Sequence, residues 1–286
     1  MKIGISTVPT DSSIDMAILA QSVEELGFES LWLPDQPVLP VKTVEPVPRE
    51  WGDIVDPLIA LSRASVVTSR LKLGTAVLVV TERNPITLAK EVATLDMYSG
   101  GRYLFGVGVG SIEEEAAILG SDFPHRWTQA HEAVLAMKEL WTKEVSEFHG
   151  RYYDFPPVYC FPKPVQRPHP PIILGGHAPN VFKRIVAWGE GWIPIGVTPD
   201  QVQQGRATLD SLAQLAARDP KSIQISVVGV PADIELIERF EEAGADRVII
   251  LLATAREEES VAQLEGIAAI TMKSDWNRVA NNVAKH

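Results

Sequence analysis

Two apolar runs decide the fold of this chain: KLGTAVLVV, residues 72–80, and YLFGVGVGS, residues 103–111. Both have the composition of strands that are buried on both faces. The segment between them, residues 85–97, has a helical pattern and begins with proline, which is favourable in the first turn of a helix. A strand, a helix and a second strand form the repeating unit of an α/β fold. The second run ends in alternating glycines, and glycine weakens a strand unless a ligand or another backbone must come close.

The alternation of short apolar runs and helical patterns extends along the whole chain. Eight strands, each followed by a helix, predict a single-domain (β/α)8 TIM barrel over residues 1–286, whereas a doubly wound sheet suits five or six such units. Two long segments, residues 36–56 and 141–170, interrupt the pattern, and loops of that length are usually functional. The strand candidates are residues 3–7, 30–34, 72–80, 103–110, 171–176, 191–196, 222–230 and 246–252. The helical patterns cover residues 16–26, 57–67, 85–97, 179–188, 198–218, 231–243 and 257–272.

Composition narrows the classes of partner. The formal net charge is −11, which argues against nucleic acid as a partner because nucleic-acid binders usually present a basic face. Cys160 is the only cysteine, so neither an internal disulfide nor a thiolate metal cluster can form. No apolar run is long enough to span a bilayer, and the N-terminal MKIGIST leads directly into a strand. We therefore expect a cytoplasmic protein that contacts no membrane.

The active site of a TIM barrel lies at the carboxyl ends of the strands. The residues predicted there offer small side chains, backbone amides and apolar walls. The chain contains neither HExxH nor GxSxG, and no pair of carboxylates stands out, so neither a metal site nor a serine hydrolase is predicted. The composition suits a flat, largely apolar cofactor with a phosphate at one end. The strand-end residues are 6–7, 34–36, 76–80, 108–111, 175–177 and 195–196.

Two groups of glycines are candidate contacts for such a cofactor. Gly175 and Gly176 end a strand just before His177 and a predicted helix, so free amides and the positive end of the helix would face a phosphate; a plain tight turn is the alternative. Packing inside the barrel would equally explain residues 106 and 108, whereas Gly110 lies beyond the packed layers and favours contact with a ligand.

Several separated stretches resemble the luciferase-like superfamily, and within it the oxidoreductases that depend on the deazaflavin coenzyme F420. The stretches are LAQSVEELGFESLWLPD (19–35), LKLGTAVLVVTERNPITLAKEVATLDMYSGGRYLFGVGVG (71–110), FHGRYYDF (148–155), PKPVQRPHPPIILGG (162–176) and AWGEGWIPIG (187–196). The resemblance covers nearly the whole chain. It implies a TIM barrel with insertions at the carboxyl-end face, a flavin-type ring seated on the third strand, and a homodimer.

The resemblance also assigns residues to the cofactor. It implies a bulge with a non-proline cis peptide at Ala76-Val77, a ring contact from Asp35, and a phosphate loop at Gly175 and Gly176, with Ser6, Gly108, Gly110 and His177 completing the cofactor site. On this interpretation the glycines end the run at 103–111 because cofactor and substrate share the space above them.

The chain departs from the family pattern at two positions. Many relatives carry Asp-His at the end of the second strand, where this chain has Asp35-Gln36, and many carry tryptophan or glutamate where Ser111 stands. Glutamine can donate and accept hydrogen bonds but cannot exchange a proton near neutral pH. The expected catalytic positions, Gln36 and Ser111, therefore lack an acid or base. Trp51 in the long loop is a candidate for a substrate wall or, equally, for an interface.

Three functions fit these observations. The first is hydride transfer between coenzyme F420 and a small organic substrate, which requires proximity more than side-chain acids. The second is an FMN-dependent monooxygenase of the same superfamily. The third is a non-catalytic protein that binds flavin or deazaflavin, motivated by Gln36 and Ser111. The acidic residues 113–115 are interpreted as the first turn of a helix, where carboxylates suit the helix dipole, and a catalytic carboxylate is the alternative.

Overall fold

The computed structural model describes residues 1–272, over which eight parallel strands close into a barrel surrounded by helices. The predicted TIM barrel is thereby confirmed. The strands are β1 (Lys2–Ser6), β2 (Ser30–Leu33), β3 (Lys72–Thr75), β4 (Leu78–Val79), β5 (Tyr103–Gly108), β6 (Val145–His149), β7 (Asp154–Tyr159), β8 (Ile172–Gly175), β9 (Gly191–Ile193), β10 (Gln224–Val228) and β11 (Arg247–Leu251). The α-helices are α1 (Met16–Glu25), α2 (Pro57–Val67), α3 (Pro85–Tyr98), α4 (Glu113–Leu119), α5 (Arg126–Thr142), α6 (Val181–Trp188), α7 (Pro199–Leu215), α8 (Ile234–Glu242) and α9 (Glu257–Thr271).

The strands follow the order β3-β2-β1-β11-β10-β9-β8-β5-β4, and β3 also pairs with β5. β3 and β4 therefore act together as the third strand of the barrel, and both pair in parallel with β5. The predicted run 72–80 is thus interrupted, and the interruption is the Ala76-Val77 peptide, which is cis. The bulge implied by the family resemblance lies at the expected residues.

Two predicted segments differ from the structure. Helix α6 begins at Val181 rather than at Pro179, because Asn180 is its N-cap and Pro179 lies in the preceding turn. The segment 141–170 is also more regular than expected. Helix α5 continues through Thr142, and β6 and β7 then form an antiparallel pair outside the barrel.

Polar caps place the starts of the helices that follow the barrel strands. The Asp56 carboxylate accepts hydrogen bonds from the first amides of α2, and the Asn84 side chain does the same for α3. Thr198 and Gln201 form a reciprocal capping box at α7. Proline follows the cap directly in all three helices, where its fixed φ angle suits the first turn.

The inside of the barrel is filled around Trp32, which is fully buried. A side chain at Gly74 would overlap the Trp32 ring, so glycine is required there. The Trp32 indole N–H donates to Ser30 Oγ at 2.8 Å, which satisfies its polar group inside the barrel. The other buried members of this inner layer are Leu104, Ile173, Ile193, Val228 and Ile249, with Ala76 and Val77 packed against them. The floor of the mouth is therefore an apolar layer that includes the bulge.

Candidate functional site

The carboxyl ends of β1, β2, β4, β5 and β8 bring most of the predicted site residues together. Ser6 lies in register with Trp32 of β2 and with Leu251 of β11. The Asp35 carboxylate accepts a hydrogen bond from the Val79 amide at 3.0 Å, which joins the ends of the second and third barrel strands. The site expected from the sequence is thus one continuous region of the barrel mouth.

The glycines of β5 face the bulged third strand. A side chain at Gly106 would overlap the Thr75 carbonyl, and one at Gly108 would overlap Val77. A Cβ at Gly175 would lie 2.9 Å from Val77 Cγ1, so the Val77 side chain is wedged between β5 and β8. Close approach of a neighbouring strand therefore accounts for glycine at these positions. Contact of Gly108 and Gly175 with a cofactor stays a prediction.

Asp35 forms a buried ion pair. Its side chain is 1% exposed, and Oδ1 accepts a hydrogen bond from Arg83 Nη2 at 2.8 Å. The same guanidinium also binds Asp56 at 3.0 Å. Burial raises the pKa of Asp35, and Arg83 opposes that shift by stabilising the carboxylate. Both oxygens of Asp35 have protein partners, so the carboxylate holds the bulged strand in place. The ring contact that the resemblance implied for Asp35 stays a prediction.

The acidic run at 113–115 forms the first turn of α4, as predicted, and also anchors the long loop after β2. Glu114 Oε1 accepts a hydrogen bond from the Val44 amide at 2.7 Å, and Glu115 Oε1 accepts one from the Val38 amide at 3.3 Å. The Gln36 side chain donates to the Val38 carbonyl at 2.8 Å. Gln36 and Glu115 therefore both bind the backbone of Val38 at the mouth.

A carboxyl group missed by the sequence analysis is that of Glu82. It follows β4 in a single 3-10 turn and is 9% exposed. Neither of its oxygens has a hydrogen-bond partner among the described residues. Burial, and then the negative charges of Glu115 and Asp35, raise the pKa of Glu82 to about 8. A charged residue two positions after the buried run VLVV is the available signal.

The turn after β8 keeps the features expected of a phosphate site. Gly176 has a φ of +93°, and the nearest atom to a Cβ there would be Trp127 Cζ2 at 3.8 Å, so its side is open. The amides of Gly176, His177 and Ala178 donate no backbone hydrogen bond within the described chain. The Gly176 carbonyl accepts from the Trp192 indole at 3.1 Å, which fixes the turn. The turn thus combines three amides free of backbone hydrogen bonds with open space beside Gly176.

An exposed apolar rim lies opposite the acidic side of the mouth. Ile195 and Leu251 are 58% and 55% exposed, although they stand at the ends of buried strands. Both lie within 4 Å of the position that a Cβ would take on Gly229, so they form one patch. The His177 Nε2–H donates a hydrogen bond to the Ile195 carbonyl, 2.9 Å away, which links this rim to the glycine turn. A flat apolar molecule would cover this patch and remove it from water.

Two predicted residues remain at the periphery. Ser111 is exposed just before α4. Trp51 is 46% exposed in the 3-10 turn Arg49–Asp53 of the long loop. The end of that loop returns to the mouth, where the Val55 amide donates to the Pro9 carbonyl at 3.1 Å. The end of the long loop therefore lies at the site, whereas no contact of Trp51 with the site is seen among the described residues.

The residues that the structure describes support neither a metal site nor a membrane-spanning helix. Within residues 1–272, no group of three acidic, histidine or cysteine side chains is arranged to hold a metal ion. Over the same range, no helix combines the length and the apolar character needed to cross a bilayer.

The sequence matches a family described as luciferase-like monooxygenase over residues 6–283. It is 34% identical over 285 residues to an uncharacterised protein of Mycobacterium tuberculosis, an alignment that covers 94% of this chain and 98% of that one. It is also 33% identical over 182 residues to an F420-dependent glucose-6-phosphate dehydrogenase of Kineococcus radiotolerans, covering 62% of this chain and 51% of the relative.

The fold is also that of solved structures in which the cofactor is named. The coenzyme F420-dependent tetrahydromethanopterin reductase of Methanopyrus kandleri superimposes with a TM-score of 0.77 at 17% identity, covering 96% of this chain and 99% of the reductase. At that identity the likeness establishes the barrel and its connections alone.

Proposed function

This chain belongs to the luciferase-like monooxygenase family, and from that premise we propose that it is an oxidoreductase that transfers a hydride between coenzyme F420 and a small organic substrate. The observation that carries the proposal is the pairing of a held glycine turn with an exposed apolar rim. Gly176 and His177 offer free amides, and Ile195 and Leu251 offer apolar surface beside them. A phosphate joined to a flat ring fits both.

Each part of the mouth has a role in this proposal. The amides of Gly176 and His177 bind the cofactor phosphate, because backbone donors favour anions. The bulge at Ala76 and Val77 seats the ring, and Asp35 fixes the bulge through the Val79 amide. When bound, the deazaflavin supplies a carbon that accepts or releases a hydride. The protein contributes orientation of the two reactants and exclusion of water.

The substrate side of the proposed site lies toward α4. Gln36 is held by the Val38 carbonyl, so its amide can orient a substrate oxygen through hydrogen bonds. Ser111 adds a hydroxyl at the entrance to α4, and Trp51 of the long loop supplies an aromatic wall once the loop folds over the substrate. These residues bind and orient, since neither glutamine nor serine exchanges a proton near neutral pH.

Cofactor identity is tested by titrating the purified protein separately with F420 and with FMN, following the absorbance or fluorescence of each. We expect tighter binding of F420, in keeping with the named activity of the Kineococcus relative. The family description favours the second candidate, an FMN-dependent monooxygenase. Tight FMN binding without F420 binding would overturn the first proposal in favour of the second. F420 binding without turnover across alcohols, carbonyls and enones would instead favour a non-catalytic binding protein.

We also propose that the protein is a homodimer. Ile59 on α2 and Tyr98 on α3 are 75% and 61% exposed. Both line one groove of about 350 Å³ between the two helices, in which the apolar side chains Leu58, Ile59, Leu95 and Tyr98 lie beside polar ones such as Lys90 and Glu91. A second copy of the chain would bury this apolar face.

A further inference from the structure

Arg184, near the start of α6, carries a guanidinium group that has no acidic partner among residues 1–272. Its Cζ stands 4.6 Å from the centroid of the Trp127 ring, over the face of the indole. Nη1 is buried and has no hydrogen-bond partner over the same range. Burial lowers the pKa of Arg184, and no neighbouring carboxylate counteracts that shift. The group nevertheless stays charged, because arginine keeps its proton in proteins.

Other buried arginines of this protein are paired with acids. Arg247 binds Glu29 at 2.7 Å, and Arg83 binds Asp35 at 2.8 Å. The chain has 37 acidic residues against 26 basic ones, so a lack of acids does not explain the unpaired guanidinium of Arg184. A buried donor without a partner is unfavourable, and an anionic ligand would relieve that cost. The Arg184 side chain is only half-buried, so a ligand can reach it.

Arg184 lies beside the glycine turn that follows β8. Cζ2 of the Trp127 ring is 3.8 Å from the position that a Cβ would take on Gly176, so the indole that lies under the guanidinium also borders the open side of the turn. The amides of Gly176, His177 and Ala178 donate no backbone hydrogen bond within the described chain. Two kinds of anion donor, backbone amides and a guanidinium, therefore lie around one indole ring.

We propose that Arg184 binds a carboxylate of the cofactor beyond the phosphate held by the glycine turn, and that it thereby selects coenzyme F420 over FMN. The inference rests on the function proposed above. In F420 the phosphate is a diester that continues into a chain bearing carboxylates, whereas FMN ends at its phosphate. A guanidinium binds a carboxylate through two parallel hydrogen bonds. The Trp127 ring already holds the guanidinium in place, which reduces the entropy lost on binding.

The test measures the Kd of the cofactor-free protein for two ligands by fluorescence titration. One is F420, and the other is the 5′-monophosphate of the same deazaflavin riboside, which lacks the carboxylates. Arg184→Gln should weaken the binding of F420 by about tenfold or more, because a charge-assisted pair is lost, and that of the monophosphate by less than about twofold. Lys183→Gln is the matched control, since it removes an exposed cation from the same helix, and it should leave both Kd values unchanged.

Salt gives a second readout that packing on Trp127 alone would not affect. The Kd of the wild type for F420 should rise with ionic strength more steeply than that of Arg184→Gln, because one ion pair fewer is screened in the variant. Equal losses for both ligands in Arg184→Gln would show that Arg184 holds the phosphate or the fold, and would overturn the inference. An unchanged Kd for F420 in Arg184→Gln would overturn it while the proposed function stands. If the wild type binds neither deazaflavin, the proposed function itself fails.

Discussion

The Asp35 carboxylate lies 3.0 Å from the Val79 amide and 2.8 Å from Arg83 Nη2, so one buried side chain ties the second barrel strand to the third. The tie lies directly behind the bulge at residues 76–77. A residue that the family resemblance assigns to the cofactor thus acts first on the protein. Asp35 therefore affects ligand binding by fixing the position of the third barrel strand.

Removing the Asp35 carboxylate should destabilise the protein strongly. Asp35→Ala leaves the Val79 amide unpaired and Arg83 without its most buried partner, and breaking a buried ion pair typically costs about 3–5 kcal/mol. Asp35→Asn retains an acceptor for the Val79 amide and should lose less. Urea denaturation of the three proteins measures the difference. Equal free energies of unfolding for wild type and Asp35→Ala would contradict the role described.

The pKa of Glu82 makes stability depend on pH. The folded value of about 8 lies above the ordinary glutamate value of 4.5. Between these two values the unfolded chain loses the proton while the folded protein keeps it, so the free energy of unfolding falls as pH rises from about 5 to about 8. Glu82→Gln removes this dependence and should exceed the wild type in stability by about 1–3 kcal/mol at pH 8, with little difference at pH 5.

Urea denaturation at both pH values, with Glu113→Gln as the exposed-acid control, measures the effect. The quantity to compare is the free energy of unfolding of the wild type minus that of Glu82→Gln. If this difference stays constant or rises between pH 5 and pH 8, Glu82 is ionised in the folded state.

The sequence predicts the barrel because its signal is repeated. Eight apolar runs alternate with helices that start at Asp56-Pro57, Asn84-Pro85 and Thr198-Pro199, and each of these caps acts locally. The structure confirms the architecture for that reason. The sequence pattern predicts the start of α6 two residues too early. Proline alone does not distinguish the first helical turn from the turn before it.

The glycines show where local reasoning stops. A glycine at a strand end indicates that another group packs closely against it, but does not say which group. The neighbour of Gly106 and Gly108 is the third barrel strand, and the neighbour of Gly110 is the Glu82 side chain. The charge of Glu115 acts on Glu82 across 33 positions of sequence, and no periodic pattern encodes such a relationship. Whether one acidic side chain such as Glu82 is buried depends on how the whole barrel packs.

The phosphate turn can be tested by substitution at Gly176. Gly176→Val places a side chain on the open side of the turn at a φ of +93°, where such residues are strained by roughly 1–3 kcal/mol. Affinity for F420 should fall at least about tenfold. Gly27→Val is the matched control, because Gly27 also has a positive φ, +88°, and open space, but it follows α1 at the opposite end of the barrel. Equal losses of cofactor affinity in both variants would place the phosphate elsewhere.

Position 36 offers a gain-of-function test. Gln36→His puts an imidazole beside Glu115, and a neighbouring carboxylate raises the pKa of a histidine above its usual value of about 6.5. Turnover with F420 should then acquire a pH-dependent limb at or above that value that the parent lacks. Parallel NMR titration of the new imidazole assigns the limb. A limb near 6.5 already present in the wild type would contradict the interpretation of Gln36 as a non-ionising residue.

The proposed dimer depends on the apolar groove between α2 and α3. A charge on either wall would have to be buried against the second copy, which costs several kcal/mol unless it finds a partner. Ile59→Asp and Tyr98→Glu should therefore shift the protein from dimer to monomer in sedimentation velocity, without loss of helical circular dichroism. Leu215→Asp serves as the control, because Leu215 is 83% exposed on α7, away from the groove. A monomeric wild type would refute the proposal, and a dimer that survives both groove variants would place the interface on another face of the barrel.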